Sequence, residues 1–248
     1  MKRFVVVIIV FSFFLSCSGK KALRPENFDP KVWLRNADKL IKSEDFEEAR
    51  KLLFEVKNRD LTKKYAPIAQ LKIAESYEAE EQPDSAVKEY KRFIRLYPDH
   101  AQASYAQYKI AMVYYKQIDS PDKGAGGARK ALEEFQKLLR KYPRNPYREA
   151  VQLRIRKCKN LIADYEMIVG KFYYKKGAYP AAVDRFKGLI ENFPGYRGLP
   201  EVLYLIGSSY KELGKPGLSR KYLDELVKNY PDSAFAEKAE KVISSLKK

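Results

Sequence analysis

The sequence predicts an all-α superhelix of five helix-turn-helix repeats closed by a C-terminal capping helix, and three observations carry that prediction. An aromatic–proline pair ends a helix-like run at Tyr97-Pro98, Tyr142-Pro143, Phe193-Pro194 and Tyr230-Pro231, at intervals of 45, 51 and 37 residues. Recurrence of this kind marks a repeat architecture. Counted back from each proline, small and large apolar residues fall at matching places, as two helices in close contact require. Glycine and proline are scarce, 12 and 13 of 248 residues, and cluster between these runs.

The register is that of the tetratricopeptide repeat with the proline at its position 32. The unit ending at Pro98 offers Ile73, Ala74, Tyr77, Ala86, Tyr90 and Phe93 at the signature places. The unit ending at Pro194 offers Val169, Gly170, Tyr173, Ala182, Phe186 and Leu189, and that ending at Pro231 offers Leu203, Ile206, Gly207, Tyr210, Ser219, Leu223 and Leu226. Residues 104–143 fit with Ile110, Ala111, Tyr114, Ala131, Phe135 and Leu138 once eight residues are inserted within QIDSPDKGAGGARK, where Gly124, Gly126 and Gly127 predict a mobile loop. The first unit has Trp33, Ala37, Leu40, Ala49 and Leu53 and lacks only the closing proline. Extra residues between Pro143 and the fourth unit include apolar Val151, Leu153, Ile155, Leu161 and Ile162, with no breaker before Gly170, and predict one long helix joining the third repeat to the fourth. DSAFAEKAEKVISSL after Pro231 predicts the cap, with Asp232 or Ser233 as its N-cap. The fold class is therefore a tetratricopeptide-repeat superhelix, in which several of the nineteen tyrosines fill the grooves between helices.

Ahead of the repeats, Lys2 and Arg3 precede an apolar run from Phe4 to Leu15, and small Ser16 precedes Cys17. That is the layout of a secretory signal, too short to span a bilayer, which needs about 20 apolar residues. Phe14-Leu15-Ser16-Cys17 resembles the bacterial lipobox, in which the cysteine is acylated after cleavage before it. Cys17 is then the lipid anchor. Ser18 stands where an Asp would retain the product at the inner membrane, so the outer membrane is the expected location. The expected organisation is a cleaved signal at 1–16, a tether at 17–30, repeats one to three at 31–143, and the linking helix, repeats four and five and the cap at 144–248.

Without residues 1–16 the net charge of +17 falls to +15, because Lys2 and Arg3 go with them. In an exported protein, anionic headgroups or acidic partners are the available counter-ions, and nucleic acid is not an expected partner. Cys158 has no partner except Cys17, which excludes a disulfide framework. The single histidine, His100, lies in the turn YPDHAQ, and no HExxH, CxxC, GxSxG or GxxxxGK motif is present. The sequence therefore predicts no enzyme, no cofactor and no metal.

Two surfaces attract attention. The first helices of repeats one to three place Leu34, Asp38, Ile41, Leu71, Glu75, Glu78, Tyr105, Tyr108, Met112 and Tyr115 around one groove, suited to an extended peptide with aromatic residues. The three tyrosines also fit packing against the next helix. From 140 to 159 stand Arg140, Lys141, Arg144, Arg148, Arg154, Arg156, Lys157 and Lys159 against one acid, Glu149. That cluster fits an acidic partner, lipid headgroups or a solvated basic face.

With these pieces assembled, the chain resembles the BamD family, the tetratricopeptide lipoproteins of the outer-membrane β-barrel assembly machinery. The resemblance runs from FLSCSG through all five repeats and is most specific in KRFIRLYPDH (91–100), the glycine-containing insertion, the linking helix and YEMIVGKFYYKKGAYPAAVDRFKGLIENFP (165–194). A shorter third-repeat insertion and lysine enrichment are the departures. The resemblance implies that the N-terminal repeats recognise the C-terminal targeting strand of unfolded outer-membrane proteins. It also implies that the C-terminal repeats join a BamA-like barrel subunit through its periplasmic domains, with Arg185 as an ion-pairing contact, and that other lipoproteins of the machinery are possible partners; Arg148, Arg154 and Arg156 of the basic cluster are the further docking candidates that the residues themselves offer. A pilotin, or a scaffold for secretion or cell-wall enzymes, is the alternative.

Overall fold

The computed structural model describes residues 28–246, and among these the backbone forms eleven α-helices, one 3-10 turn and no strand. The helices pair in chain order: α1 (Pro30–Lys42) with α2 (Phe46–Arg59), α3 (Ala66–Ala79) with α4 (Pro83–Leu96), α5 (Ala103–Lys116) with α6 (Gly126–Lys141), α7 (Arg148–Lys175) with α8 (Tyr179–Asn192), and α9 (Leu199–Glu212) with α10 (Pro216–Asn229). Helix α11 (Ala234–Ser245) caps the last pair, and its N-cap is Ser233, whose hydroxyl accepts from the Phe235 N–H at 3.2 Å.

Each pair closes on the same interlock. The second helices carry Ala49, Ala86, Ala131, Ala182 and Ser219 at one repeat position and Leu53, Tyr90, Phe135, Phe186 and Leu223 four residues on, and all ten are fully buried. Three residues further along, Val56, Phe93, Leu138, Leu189 and Leu226 are fully buried as well. The facing position on the first helices holds Ala37, Ala74, Ala111, Gly170 and Gly207. A side chain as small as a methyl is the upper limit there. A Cβ added at Gly170 would lie 2.3 Å from the Phe186 ring, and one at Gly207 would lie 2.5 Å from Leu223. Burying each large side chain contributes about 1.5–3 kcal/mol, so five equivalent contacts in series hold the stack.

The aromatic–proline pair is the joint between repeats. Tyr97, Tyr142, Phe193 and Tyr230 each cap a second helix, with φ between −129° and −138°, because the following proline excludes the helical conformation for the residue before it. Each donates its backbone N–H four residues back at 2.9 Å, to Phe93, Leu138, Leu189 and Leu226 respectively. The first repeat, which has Leu61 in place of the proline, turns by a different device. The Asp60 carboxylate accepts from the Thr62 N–H (3.1 Å) and hydroxyl (2.5 Å), the Tyr65 N–H (2.5 Å) and the Ala66 N–H (2.9 Å). Burial acts to raise the Asp60 pKa, but these hydrogen bonds outweigh it and hold the carboxyl below its ordinary value.

One expectation changes in the middle of the chain and another holds. The inserted segment is built into the fold: Pro121–Lys123 form the 3-10 turn, which packs on α7, and Gly126 and Gly127 begin α6. Only Gly124 adopts a positive φ, +124°, while Gly127 is small because a Cβ there would lie 2.9 Å from the Gln117 carbonyl oxygen. The linking segment is the one long helix that the sequence predicts. It runs without a break into the first helix of repeat four, giving the 28-residue α7. Cys158 lies buried within it, and burial pushes its thiol up to about 11.

Gly170→Ala gains about 1 kcal/mol of helix propensity but overpacks Phe186 at a typical cost of about 1–3 kcal/mol. Its melting temperature should fall, and the loss should shrink in a Phe186→Leu background. A stabilised Gly170→Ala would contradict the interlock. Asp60→Ala should cost about 1–3 kcal/mol by orphaning buried donors. Because the folded-state pKa of Asp60 is depressed, its contribution is complete above pH about 4 and is lost as the pH falls through the lower folded value. Denaturant titrations should therefore show the variant and the parent converging in stability at low pH.

Candidate partner-binding faces

The first helices and the start of α7 are joined edge to edge by polar and aromatic contacts. Asp38 on α1 pairs with Lys72 on α3 at 2.5 Å. The Tyr105 hydroxyl on α5 donates to Glu75 on α3 at 2.9 Å, and burial, followed by the Glu75 charge, raises the Tyr105 pKa. Glu78 on α3 accepts from Lys109 (2.8 Å) and Lys116 (2.9 Å) of α5 and from the Tyr90 hydroxyl (2.9 Å). Burial acts to raise the Glu78 pKa, but those donors hold it below the ordinary range. Tyr108 stacks on Tyr147, just before α7, with ring centroids 4.2 Å apart and planes 11° apart. The Arg154 guanidinium stands 6.0 Å from the Tyr108 ring and 5.9 Å from the Tyr115 ring, and the Lys157 ammonium 5.8 Å from the Tyr115 ring.

Glu75, Glu78, Tyr105, Tyr108, Met112 and Tyr115 thus share one half-buried face, which Tyr147, Arg154 and Lys157 continue. Tyr147 carries no signal in its own local sequence. Leu34 and Leu71 are not part of that face: they are 8% and 3% exposed and belong to the core. Their repeat position points between neighbouring first helices, so a leucine is enclosed there, whereas Tyr108, at the same position, is long enough to reach out. Ile41 is half-buried against the α1–α2 core.

A second feature emerges when the repeats are superposed in register. Gln70 on α3 donates its amide to the Glu89 carboxylate on α4 at 2.8 Å, and Gln107 on α5 does the same to Glu134 on α6 at 2.6 Å, all four residues being buried. In repeat four these two positions are occupied by Glu166 on α7 and Arg185 on α8. The polarity is reversed: the Arg185 guanidinium lies 3.3 Å from Glu166, which also accepts from Arg129 of α6 at 2.5 Å. The Arg185 side chain is 49% exposed and Glu166 15%. Arg185 is therefore tied to its own repeat while half of its surface faces solvent. Repeat alignment is the only sequence signal that finds Glu166.

The basic run from Arg140 to Lys159 does not form one patch. Residues 154 and 156 lie about 200° apart on a helix. Arg154 faces the tyrosines and donates to the Ala150 carbonyl, while Arg156 and Lys159 line a cavity of about 290 Å³ with Asn160, Asn192, Phe193 and Tyr196. Arg148 turns back to the Pro143 carbonyl at 3.2 Å.

Cys17 and the signal lie outside the described residues, and among the described ones no helix is long and apolar enough to cross a membrane. The family described as YfiO, outer membrane lipoprotein, matches residues 27–224. Relatives named outer membrane protein assembly factor BamD include that of Neisseria gonorrhoeae, 29% identical over 79% of this chain and 77% of its own length. The Rickettsia prowazekii protein is 29% identical over 80% of this chain and 78% of its own. The Vibrio cholerae protein is 24% identical over 84% and 90%. Matched from just before α1 to within α10, this chain belongs to the YfiO family of outer membrane lipoproteins.

Proposed function

We propose that the protein is the tetratricopeptide lipoprotein subunit of an outer-membrane β-barrel assembly machinery. It takes an extended segment of an unfolded outer-membrane protein on the face of α3, α5 and the start of α7, and docks to a BamA-like barrel subunit through its C-terminal repeats. The names of its relatives support the assembly role, and the observation that carries the peptide reading is the layer of Tyr105, Tyr108, Tyr115 and Tyr147 flanked by Arg154 and Lys157. Rigid aromatic rings give large contact area at small entropic cost, and the flanking cations suit a chain that ends in a carboxylate. Other lipoproteins of the machinery are further candidate partners, and Cys17 is the candidate acylation site. The role is that of a scaffold rather than a catalyst.

Three outcomes test this reading. Arg154→Ala, whose guanidinium meets its own helix and the ring faces, should weaken binding of a peptide ending in an aromatic residue by roughly tenfold while leaving the melting temperature nearly unchanged, the pattern of a binding hot spot. Unaltered affinity in a fluorescence-anisotropy titration would remove the peptide from this face. Arg185→Ala should cost at most about 1 kcal/mol of stability, since its pair with Glu166 is half exposed. It should nonetheless reduce copurification of the barrel subunit, with Arg185→Lys restoring it only in part because the planar fork is lost. Recovery at wild-type yield in high salt would leave Arg185 as a purely internal partner of Glu166, and capture of secretion or cell-wall enzymes in its place would favour the scaffold alternative. Cys17→Ala should abolish the acylated N-terminal mass and release the chain from the outer-membrane fraction, and an unchanged mass would end the anchor assignment.

A further inference from the structure

The end of the molecule where the tether joins α1 combines an exposed apolar tip with a group of exposed cations. Leu61 is 93% exposed, more than any other large hydrophobic side chain among the described residues. It stands at the tip of the α2–α3 turn, which Asp60 fixes through four hydrogen bonds, so the side chain is presented by an ordered loop. Exposed Lys63 and Lys64 follow it. The same end of the first repeat holds the exit of the tether, because the Arg59 guanidinium at the close of α2 lies 4.7 Å from the Phe28 ring and 5.7 Å from the Trp33 ring. Helix α1 then runs away from this point with Lys31, Arg35, Lys39 and Lys42, all exposed, within one arc of about 80°. None of the lysines and arginines of this stripe or of the loop has a carboxylate partner among the described residues.

We propose that this end rests on a phospholipid bilayer, with Leu61 seated at the level of the headgroups and Lys63, Lys64 and the α1 stripe against anionic phosphates. The proposal rests on the anchor reading of Cys17 for its strength. Only ten residues separate Cys17 from Phe28, and a chain of that length reaches at most about 40 Å. An acylated Cys17 therefore holds this end close to the membrane surface. A single leucine with a few lysines is too weak to retain a protein on a membrane alone, but a tether turns the contact into an intramolecular one at high effective concentration. The contact would fix the orientation of the first repeat relative to the bilayer, which attachment at Cys17 alone does not specify.

The test places a tryptophan at the tip. Full-length mature Leu61→Trp, reconstituted without any other protein in vesicles of phosphatidylethanolamine and phosphatidylglycerol, should show a blue-shifted emission and a several-fold loss of iodide quenching relative to Lys238→Trp on the capping helix. Native Trp33, 6% exposed, supplies a constant background measured in the parent. Reversing Lys63, Lys64, Lys31 and Arg35 to Glu, or replacing phosphatidylglycerol with phosphatidylcholine, should restore quenching. Equal quenching at positions 61 and 238 in the anionic vesicles overturns the proposal. The N-terminal mass, read on the same sample, separates the two readings: an acylated chain whose indole at position 61 is quenched keeps the anchor and loses the surface contact, whereas an unacylated chain whose indole at position 61 is protected does the reverse.

Discussion

The close approach of two helix backbones within each repeat is the constraint on which the rest of this structure depends. It requires alanine, serine or glycine on both sides of the crossing and a large side chain wedged against the small one, and all five repeats meet it. Once the pair is closed, the residues to either side have fixed directions. One row points into the next repeat, one along the outer surface, and one onto the shared face of the first helices, where Tyr105, Glu75 and Glu78 meet. A functional face assembled from three or four separate helices stays in register only because each hairpin is held at the same depth.

How much of this is legible in the sequence depends on whether a position is governed by size or by direction. Residues such as Ala86, Tyr90 and Phe93 are readable because packing dictates their volume, and the repeat shows the same volume again elsewhere. The sequence puts Leu34 and Leu71 on the correct helices, but one helix alone does not reveal how far its neighbour shields it. Tyr147 is hidden for the opposite reason: it lies outside any repeat and acquires its partner Tyr108 only through folding. Arg154 and Arg156, neighbours in a basic run, are separated by the turn of the helix onto different faces. The glycines of the insertion look like a loop, yet Gly126 and Gly127 begin α6, and Gly127 is there because its Cα faces the Gln117 backbone.

The electrostatic character of the surface follows from where the acids go. Asp60 is spent on a turn, Glu78 on three donors from two helices, Glu89 and Glu134 on buried glutamines, Glu166 on two arginines, and Asp164 on the Tyr196 hydroxyl at 2.7 Å. Carboxylates that bridge helices are withdrawn from the solvent. A chain with 49 basic and 32 acidic residues therefore presents a surface more positive than that ratio suggests, and partners with negative potential are drawn to it over roughly a Debye length.

Helix α7 has a mechanical meaning beyond its contacts. Twenty-eight uninterrupted residues form a rod about 42 Å long, which packs with α6 from Val151 as far as Glu166 and shares a core with α8 and α9 from Ala163 onward. A rod without proline or a distorted turn resists bending, so the two groups of repeats do not fold toward one another at their junction. Glycine-permitted turning first becomes available past its C-terminal end, at Gly177 with φ of +73°. A torque applied to the aromatic layer at the start of α7 is thus delivered, with little lost to flexure, to the hairpin that carries Arg185.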